Sequence, residues 1–165
     1  MEIRKARPDD YEEAGHVTAL AYREFAPPND PDWEEYLGEI ADVAGRADRT
    51  LVLVAAEDGR ILGSATMEFD GAVVGDDDPA LPPEMASLRM LGVDPAARGR
   101  GVGRALVEAS IRESRNRGKT LFVLRTTERM AAAHRLYESM GFRRDLDRDV
   151  EFDEGFRLIA YRLAI

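Results

Sequence analysis

The spacing of apolar residues along this chain switches between a period of two and one of about 3.6, and each switch marks an element boundary. A short strand is predicted over 2–6, followed by Arg7-Pro8-Asp9-Asp10 as a turn and helix start. That helix stops before Pro27-Pro28. Asp30 is the expected N-cap of a second helix with Pro31 at its first position, and Trp33, Tyr36, Leu37, Ile40, Ala41 and Ala44 recur on one of its faces. Residues 51–57 and 60–69 are strands joined by Asp58-Gly59, a two-residue hairpin turn. Residues 70–84 break the pattern with glycine, proline and the run Asp76-Asp77-Asp78, and are expected to form a mobile loop.

A strand over 85–93 comes next, then a helix whose inward face is Val102, Ala105, Leu106 and Ala109 and which stops near Gly118. Residues 119–125 return as a strand, so this strand-helix-strand unit should be parallel and right-handed. Met130, Ala133, Tyr137 and Met140 mark one side of a further helix ending at Gly141, and strands over 142–150 and 156–163 close the chain. The order predicts one α+β domain over 1–165, a central, mixed, mostly antiparallel sheet of about seven strands flanked by about four helices.

Composition excludes several classes. With 44% hydrophobic and 33% charged residues the chain is an ordinary globular one. It lacks a membrane-length apolar run, and Met1-Glu2-Ile3-Arg4-Lys5 has no signal-peptide core, so a cytoplasmic protein is expected. Without cysteine, disulfides, thiol catalysis and Cys/His metal sites are excluded, and two histidines make no metal centre. A net charge of −9 disfavours nucleic acid and anionic membranes as partners and attracts a cationic amine.

The densest chemical signal runs from Leu91-Gly92-Val93 through Arg98-Gly99-Arg100-Gly101-Val102-Gly103-Arg104, where a strand passes through a turn into a helix. The first turn of a helix leaves N–H groups without acceptors at its positive end, which suits an anion. Glycines leave those donors open to a diphosphate, and arginine forks match phosphate oxygens. A Rossmann Gly-x-Gly-x-x-Gly fails, because its third glycine falls on Arg104 or Leu106. A Walker loop fails because Gly103 is followed by Arg104-Ala105.

Arg98-x-x-Gly101-x-Gly103 after a strand, together with Leu136-Tyr137-Glu138-Ser139-Met140-Gly141-Phe142, resembles the GNAT-type N-acetyltransferase superfamily. The resemblance spans nearly the whole chain and implies a GNAT-like fold and acetyl-CoA as cosubstrate. It implies that the backbone of Leu91 and Val93 pairs with the pantetheine amides, so that Gly92 and its neighbours can vary in type. It further implies that 99–104 hold the pyrophosphate, with Arg98, Arg100 and Arg104 adding charge, and that an N–H near Leu91 polarises the thioester. Tyr137 stands where the family often carries a general acid, and is otherwise a core aromatic. The acceptor would be a small-molecule or peptide amine attacking the thioester directly, and a homodimer is compatible with the family. The alternative is a CoA-binding sensor or interaction module with little catalysis.

Two positions depart from the family. Ser87 stands where many members carry a glutamate, leaving Glu84, Glu68 and Asp76–Asp78 as substitute bases or simply solvated acids. Met130 stands where an asparagine usually begins the last helix. Other residues have blander readings: His134 and His16 as exposed or capping groups, Trp33 and Tyr36 as core or acceptor-pocket lining, and the alternating Arg143, Arg144, Arg148 and Asp145, Asp147, Asp149 as a solvated face.

Overall fold

The computed structural model describes residues 1–26, 32–69, 81–151 and 157–165. Among them are nine strands and five helices in the order β1 (Glu2–Lys5), α1 (Tyr11–Arg23), α2 (Trp33–Ala41), α3 (Ala44–Ala47), β2 (Leu51–Glu57), β3 (Arg60–Glu68), β4 (Met85–Leu88), β5 (Gly92–Val93), α4 (Val102–Asn116), β6 (Leu121–Thr127), α5 (Ala131–Ser139), β7 (Arg143–Arg144), β8 (Val150–Glu151) and β9 (Arg157–Ala164). The sheet runs β1-β2-β3-β4-β6-β9-β7, with β5 on β3 and β8 on β9. Its β4–β6 ladder is parallel and its other described ladders are antiparallel, as the strand-helix-strand pattern requires.

Both faces of the sheet are covered, which is why β2 reads as an unbroken apolar run. Leu51, Leu53 and Ala55 face the main core with Met67, Leu106, Phe122 and Leu124, whereas Val52 and Val54 pack with Ala14 and Val43. The β2–β3 hairpin turns on Asp58 and Gly59, both at positive φ (51° and 77°), the conformation that an Asp-Gly pair supplies at low cost.

Several boundaries differ from the sequence expectation. The strand placed over 85–93 is two short strands separated by a bulge. Met67 pairs with Leu88 and Ser64 with Gly92, so Ala65 and Thr66 face three residues, Arg89, Met90 and Leu91. β6 follows β4 from Met85↔Leu121 to Leu88↔Leu124 and then continues to Thr127 along β9. Since β5 stays with β3, the sheet opens between β5 and β6. The strand over 142–150 is instead β7, a 3₁₀ turn at Leu146–Arg148, and β8. Ala44 does not extend the face of α2, because the chain turns at Asp42 and Val43 and Ala44 begins α3, a fifth helix. The expected caps Asp30 and Pro31, the acidic run 76–78 and the start of the last strand at Phe156 lie outside the described residues.

Lys119 precedes its strand rather than opening it, and its buried Nζ donates to the carbonyls of Phe69 and Pro83, both at 2.9 Å. Buried Arg46 donates to the carbonyls of Glu39 (3.1 Å), Ile40 (2.9 Å) and Asp42 (2.7 Å), and to Thr66 Oγ1 (3.2 Å). It thereby satisfies the end of α2 and ties it to β3.

Candidate active site

The opening between β5 and β6 has a main-chain side and a side-chain side. On the first, Asp94 accepts from the Ala96 amide, one 3₁₀ turn spans Pro95–Ala97, and Gly99 and Gly101 hold φ of 75° and 81°. An alanine Cβ built at either glycine would meet nothing within 4 Å, so the left-handed backbone, not lack of room, calls for glycine there. Gly101 caps α4, and the first helical bond runs from the Ala105 amide to its carbonyl at 3.0 Å. Among the described residues the N–H groups of 99–104 have no hydrogen-bond acceptor. This row of exposed donors at the positive end of a helix fits a pyrophosphate.

The arginines of this loop are engaged with the protein itself. Arg98 pairs with Glu24, Arg100 with Glu57, and Arg104 donates to Ser139 Oγ at 2.7 Å. Arg100 and the N-terminus hold the Glu57 carboxyl below its ordinary value. These contacts lie at the surface, where each contributes little to stability.

Gly92 is not free to vary, contrary to the expectation that main-chain pairing tolerates any side chain. A Cβ there would lie 2.7 Å from Thr18 Cα, because α1 crosses β5 at contact distance. Thr18 and Ser64 hydroxyls meet at 2.6 Å beside this crossing. Burial pushes Tyr22 well above its ordinary value, Tyr36 and Tyr137 add to the rise, and the Leu91 amide opposes it.

Tyr137 sits on α5, one turn before Gly141, whose φ of 88° reverses the chain so that the Phe142 amide returns to the Tyr137 carbonyl at 3.1 Å. Its ring packs 5.7 Å from Phe142 and 6.0 Å from Tyr161, centroid to centroid. Its hydroxyl makes no hydrogen bond among the described residues. Burial, then the neighbouring Tyr161, raises its pKa, so the hydroxyl keeps its proton at neutral pH and serves as a donor.

The side-chain half is a cavity of about 540 Å³ whose walls include Tyr22, Tyr36, Glu68, Ser87, Arg89 and Arg125. Met130 lines it as well, its Sδ accepting from Thr126 Oγ1 at 3.3 Å. Thr127 Oγ1 is buried there without a partner among the described residues. Tyr36 therefore lines the pocket, while Trp33 is core with Leu37, Ile40 and Met90. Of the substitute bases, Glu84 is exposed and Glu68 is not a solvated acid at all, being 2% exposed with its carboxylate 3.6 Å from Arg89 Nε. His134 is half-buried and bonded through Nε2 to the Thr127 carbonyl at 2.9 Å, and His16 is exposed on α1.

The alternating charges of 143–149 are also not merely a solvated face. Arg148 and Asp149 line the cavity, and Asp145 is buried. Asp149 accepts two bonds from Arg144 (2.9 and 2.6 Å), one from Arg157 (2.8 Å) and one from the Ala160 amide (2.8 Å). Burial alone would raise its pKa, but these donors outweigh it and hold the carboxyl below the ordinary range. Sequence reasoning missed Tyr22, Arg89, Arg125 and Asp149. One signal was available for this face: Ser64, Thr66 and Glu68 are polar at every second position of an otherwise apolar strand, which marks a buried polar face.

Comparison with known proteins agrees with this geometry. The profile described as Acetyltransferase (GNAT) family matches residues 12–142. A mycothiol acetyltransferase from Thermobispora bispora is 36% identical over 91 residues, covering 55% of this chain and 29% of that protein. The chain spans less than a third of the length of the curated relatives it matches. Among solved structures, yncA from Salmonella typhimurium with its cofactor acetyl-CoA superposes with a TM-score of 0.69 at 26% identity, over 99% of this chain and 93% of that one. A GNAT family acetyltransferase from Brucella melitensis in complex with acetyl-CoA gives 0.64 at 25% identity, over 99% and 87%.

Proposed function

Because the chain belongs to the GNAT acetyltransferase family, we propose that it is an acetyl-CoA-dependent N-acetyltransferase, a single catalytic domain over 1–165 acting on a primary amine of a small molecule or protein. One observation carries the reading: a single opening in the sheet has unpaired main-chain donors at 99–104 on one side and a cavity of about 540 Å³ with charged walls on the other. Acetyl-CoA, when bound, supplies an acyl thioester activated for attack. The N–H groups of Gly99 to Arg104 would hold the pyrophosphate, with Arg98, Arg100 and Arg104 released from their exposed partners to add charge. The backbone of Leu91 and Val93, together with Gly92 between them, would pair with the pantetheine arm as an added strand does. The Leu91 amide would polarise the thioester carbonyl.

Tyr137 would donate a hydrogen bond to the departing sulfur. Its raised pKa makes it a weak acid, so its contribution is a neutral donor held in place and not a proton released early. The membrane plays no part in this reading: no helix among the described residues is long and apolar enough to cross one. The cytoplasm is the proposed compartment. The named relatives are mycothiol acetyltransferases, so amines of that class head the acceptor panel.

The test is thiol release with a panel of primary amines, followed by Tyr137→Phe. The substitution should lower kcat by about ten- to a thousandfold and leave the calorimetric affinity for acetyl-CoA unchanged. Tight acetyl-CoA binding without thiol release from any amine would instead support the second reading, a CoA-binding sensor or interaction module, which Ser87 in the cavity wall favours.

A further inference from the structure

We infer that Glu68, entering the acceptor cavity from β3, is the catalytic base that takes a proton from the acceptor ammonium; the inference rests on the acetyl-transfer reading above. Three observations carry it. Glu68 is 2% exposed, yet lines the cavity. It closes the buried polar series Ser64, Thr66 and Glu68 on β3, in which Ser64 meets Thr18 at 2.6 Å and Thr66 accepts from Arg46 at 3.2 Å. It is also the cross-strand partner of Ser87, so the two side chains stand on the same face of the sheet with Cβ atoms about 5 Å apart. A carboxylate on β3 therefore serves the same cavity as one at position 87 would, and Ser87 leaves room beside it.

Among the described residues, the other titratable groups around the cavity fit the task less well. Asp149 is saturated by Arg144, Arg157 and the Ala160 amide and held below the ordinary carboxyl range. Asp147 is exposed at the rim. Tyr22 and Tyr36, facing in from α1 and α2, are pushed up by burial and keep their protons. Among the described residues, Arg89 from the bulge lies against Glu68, Arg125 and Arg148 line the same cavity, and Arg46 donates to Thr66, two residues along β3. Arg89 keeps the carboxylate in place.

The step balances without a further reagent. The ammonium gives one proton to the Glu68 carboxylate, and the freed nitrogen lone pair forms the N–C bond to the thioester carbonyl carbon. The C–S bond breaks with its electron pair on sulfur, which takes a hydrogen bond from Tyr137. The second amine proton passes through water to the thiolate sulfur, the protonated Glu68 returns its proton to solvent, and the products are the amide and the free thiol.

The experiment compares the full chain with its Glu68→Gln variant, using butylamine, spermidine and L-lysine as test acceptors. The variant should lose about a hundred- to ten-thousandfold in kcat/KM and lose the acidic limb of the pH–rate profile. Its affinity for acetyl-CoA should not move, its melting temperature should fall because the Arg89 pair is broken, and calorimetry should show its amine affinity weakened about tenfold. Adding Ser87→Glu to Glu68→Gln returns a carboxylate to the neighbouring strand and should restore part of the rate together with the limb. If Glu68→Gln alone does not fold, Glu68→Asp, whose carboxylate is drawn back by one methylene, should lower kcat/KM about tenfold or more while keeping an acidic limb, and parent-level kcat/KM in that variant would overturn the assignment. A kcat/KM within threefold of the parent, or a loss equal at every pH with the acidic limb intact, would overturn the assignment. Absence of thiol release by the parent chain with every amine would count against acetyl transfer itself, whereas turnover surviving in the variant would remove Glu68 alone.

Discussion

The two sides of the opening between β5 and β6 are built from different material. The side proposed to hold acetyl-CoA is one continuous stretch, 91–104, which offers backbone amides presented by two left-handed glycines and the first turn of α4. The side proposed to take the acceptor is an assembly of side chains from α1, α2, β3, the bulge, β6 and the 3₁₀ turn at Leu146–Arg148. The lesson is that main-chain sites are specified by local conformation and tolerate replacement of their exposed side chains. A side-chain site depends on the packing that brings distant segments together, and on the buried ion pairs and hydrogen bonds that hold them there.

The sharpest way to break this contrast is to place a side chain on the backbone site. Gly101→Glu should reduce acetyl-CoA binding below calorimetric detection, because it sets a carboxylate against the pyrophosphate donors. Its φ of 81° adds about 1–2 kcal/mol of strain, so a lowered melting temperature should accompany the loss. Retained affinity would mean that the donors of 99–104 do not hold the diphosphate.

Arg46→Gln attacks the other side through its supports. The substitution leaves carbonyls at the end of α2 without their buried donor, and should cost about 3–5 kcal/mol by denaturant unfolding. Because α2 carries Tyr36 into the cavity, the acceptor KM should rise while acetyl-CoA affinity stays put. An equal loss on both sides would show the two halves to be one unit.

The smallest effect concerns Asp149. Its carboxyl is held below the ordinary value of 3.8 in the folded state, so its ionised form stabilises the fold above that value, and the stabilisation is lost as pH falls through the lowered one. Asp149→Asn should therefore cost about 1–2 kcal/mol at neutral pH, a figure discounted for the partial exposure of Arg144 and Arg157. The cost should shrink at acid pH, where the parent has lost the same contribution. A cost that does not change between pH 7 and pH 3, measured by thermal unfolding, would show that the carboxylate charge does not matter there.

Legibility followed the same division. The Asp58-Gly59 hairpin, the helix ends at Gly118 and Gly141 and the glycine loop were all readable, since each is a short-range backbone requirement met by one or two residues. The bulge at Arg89-Met90-Leu91 was not, because it is a mismatch of register between β3 and its partners, and neither strand alone records it. Gly92 looked interchangeable until α1 was seen to press Thr18 against it. The charges of 143–149 looked solvated because alternation along the chain says nothing about Arg157 and the Ala160 amide arriving from β9.

What residue order settled unaided was the succession of elements, the glycine-framed helix start and the tyrosine before Gly141, all of them consequences of backbone preference and periodicity over a few residues. The placement of Glu68 beside Ser87, the gap between β5 and β6 and the saturation of Asp149 arose only when the chain closed on itself. They depend on strand register and on long-range electrostatics in a buried space, and no local stretch of sequence contains both partners of such a contact.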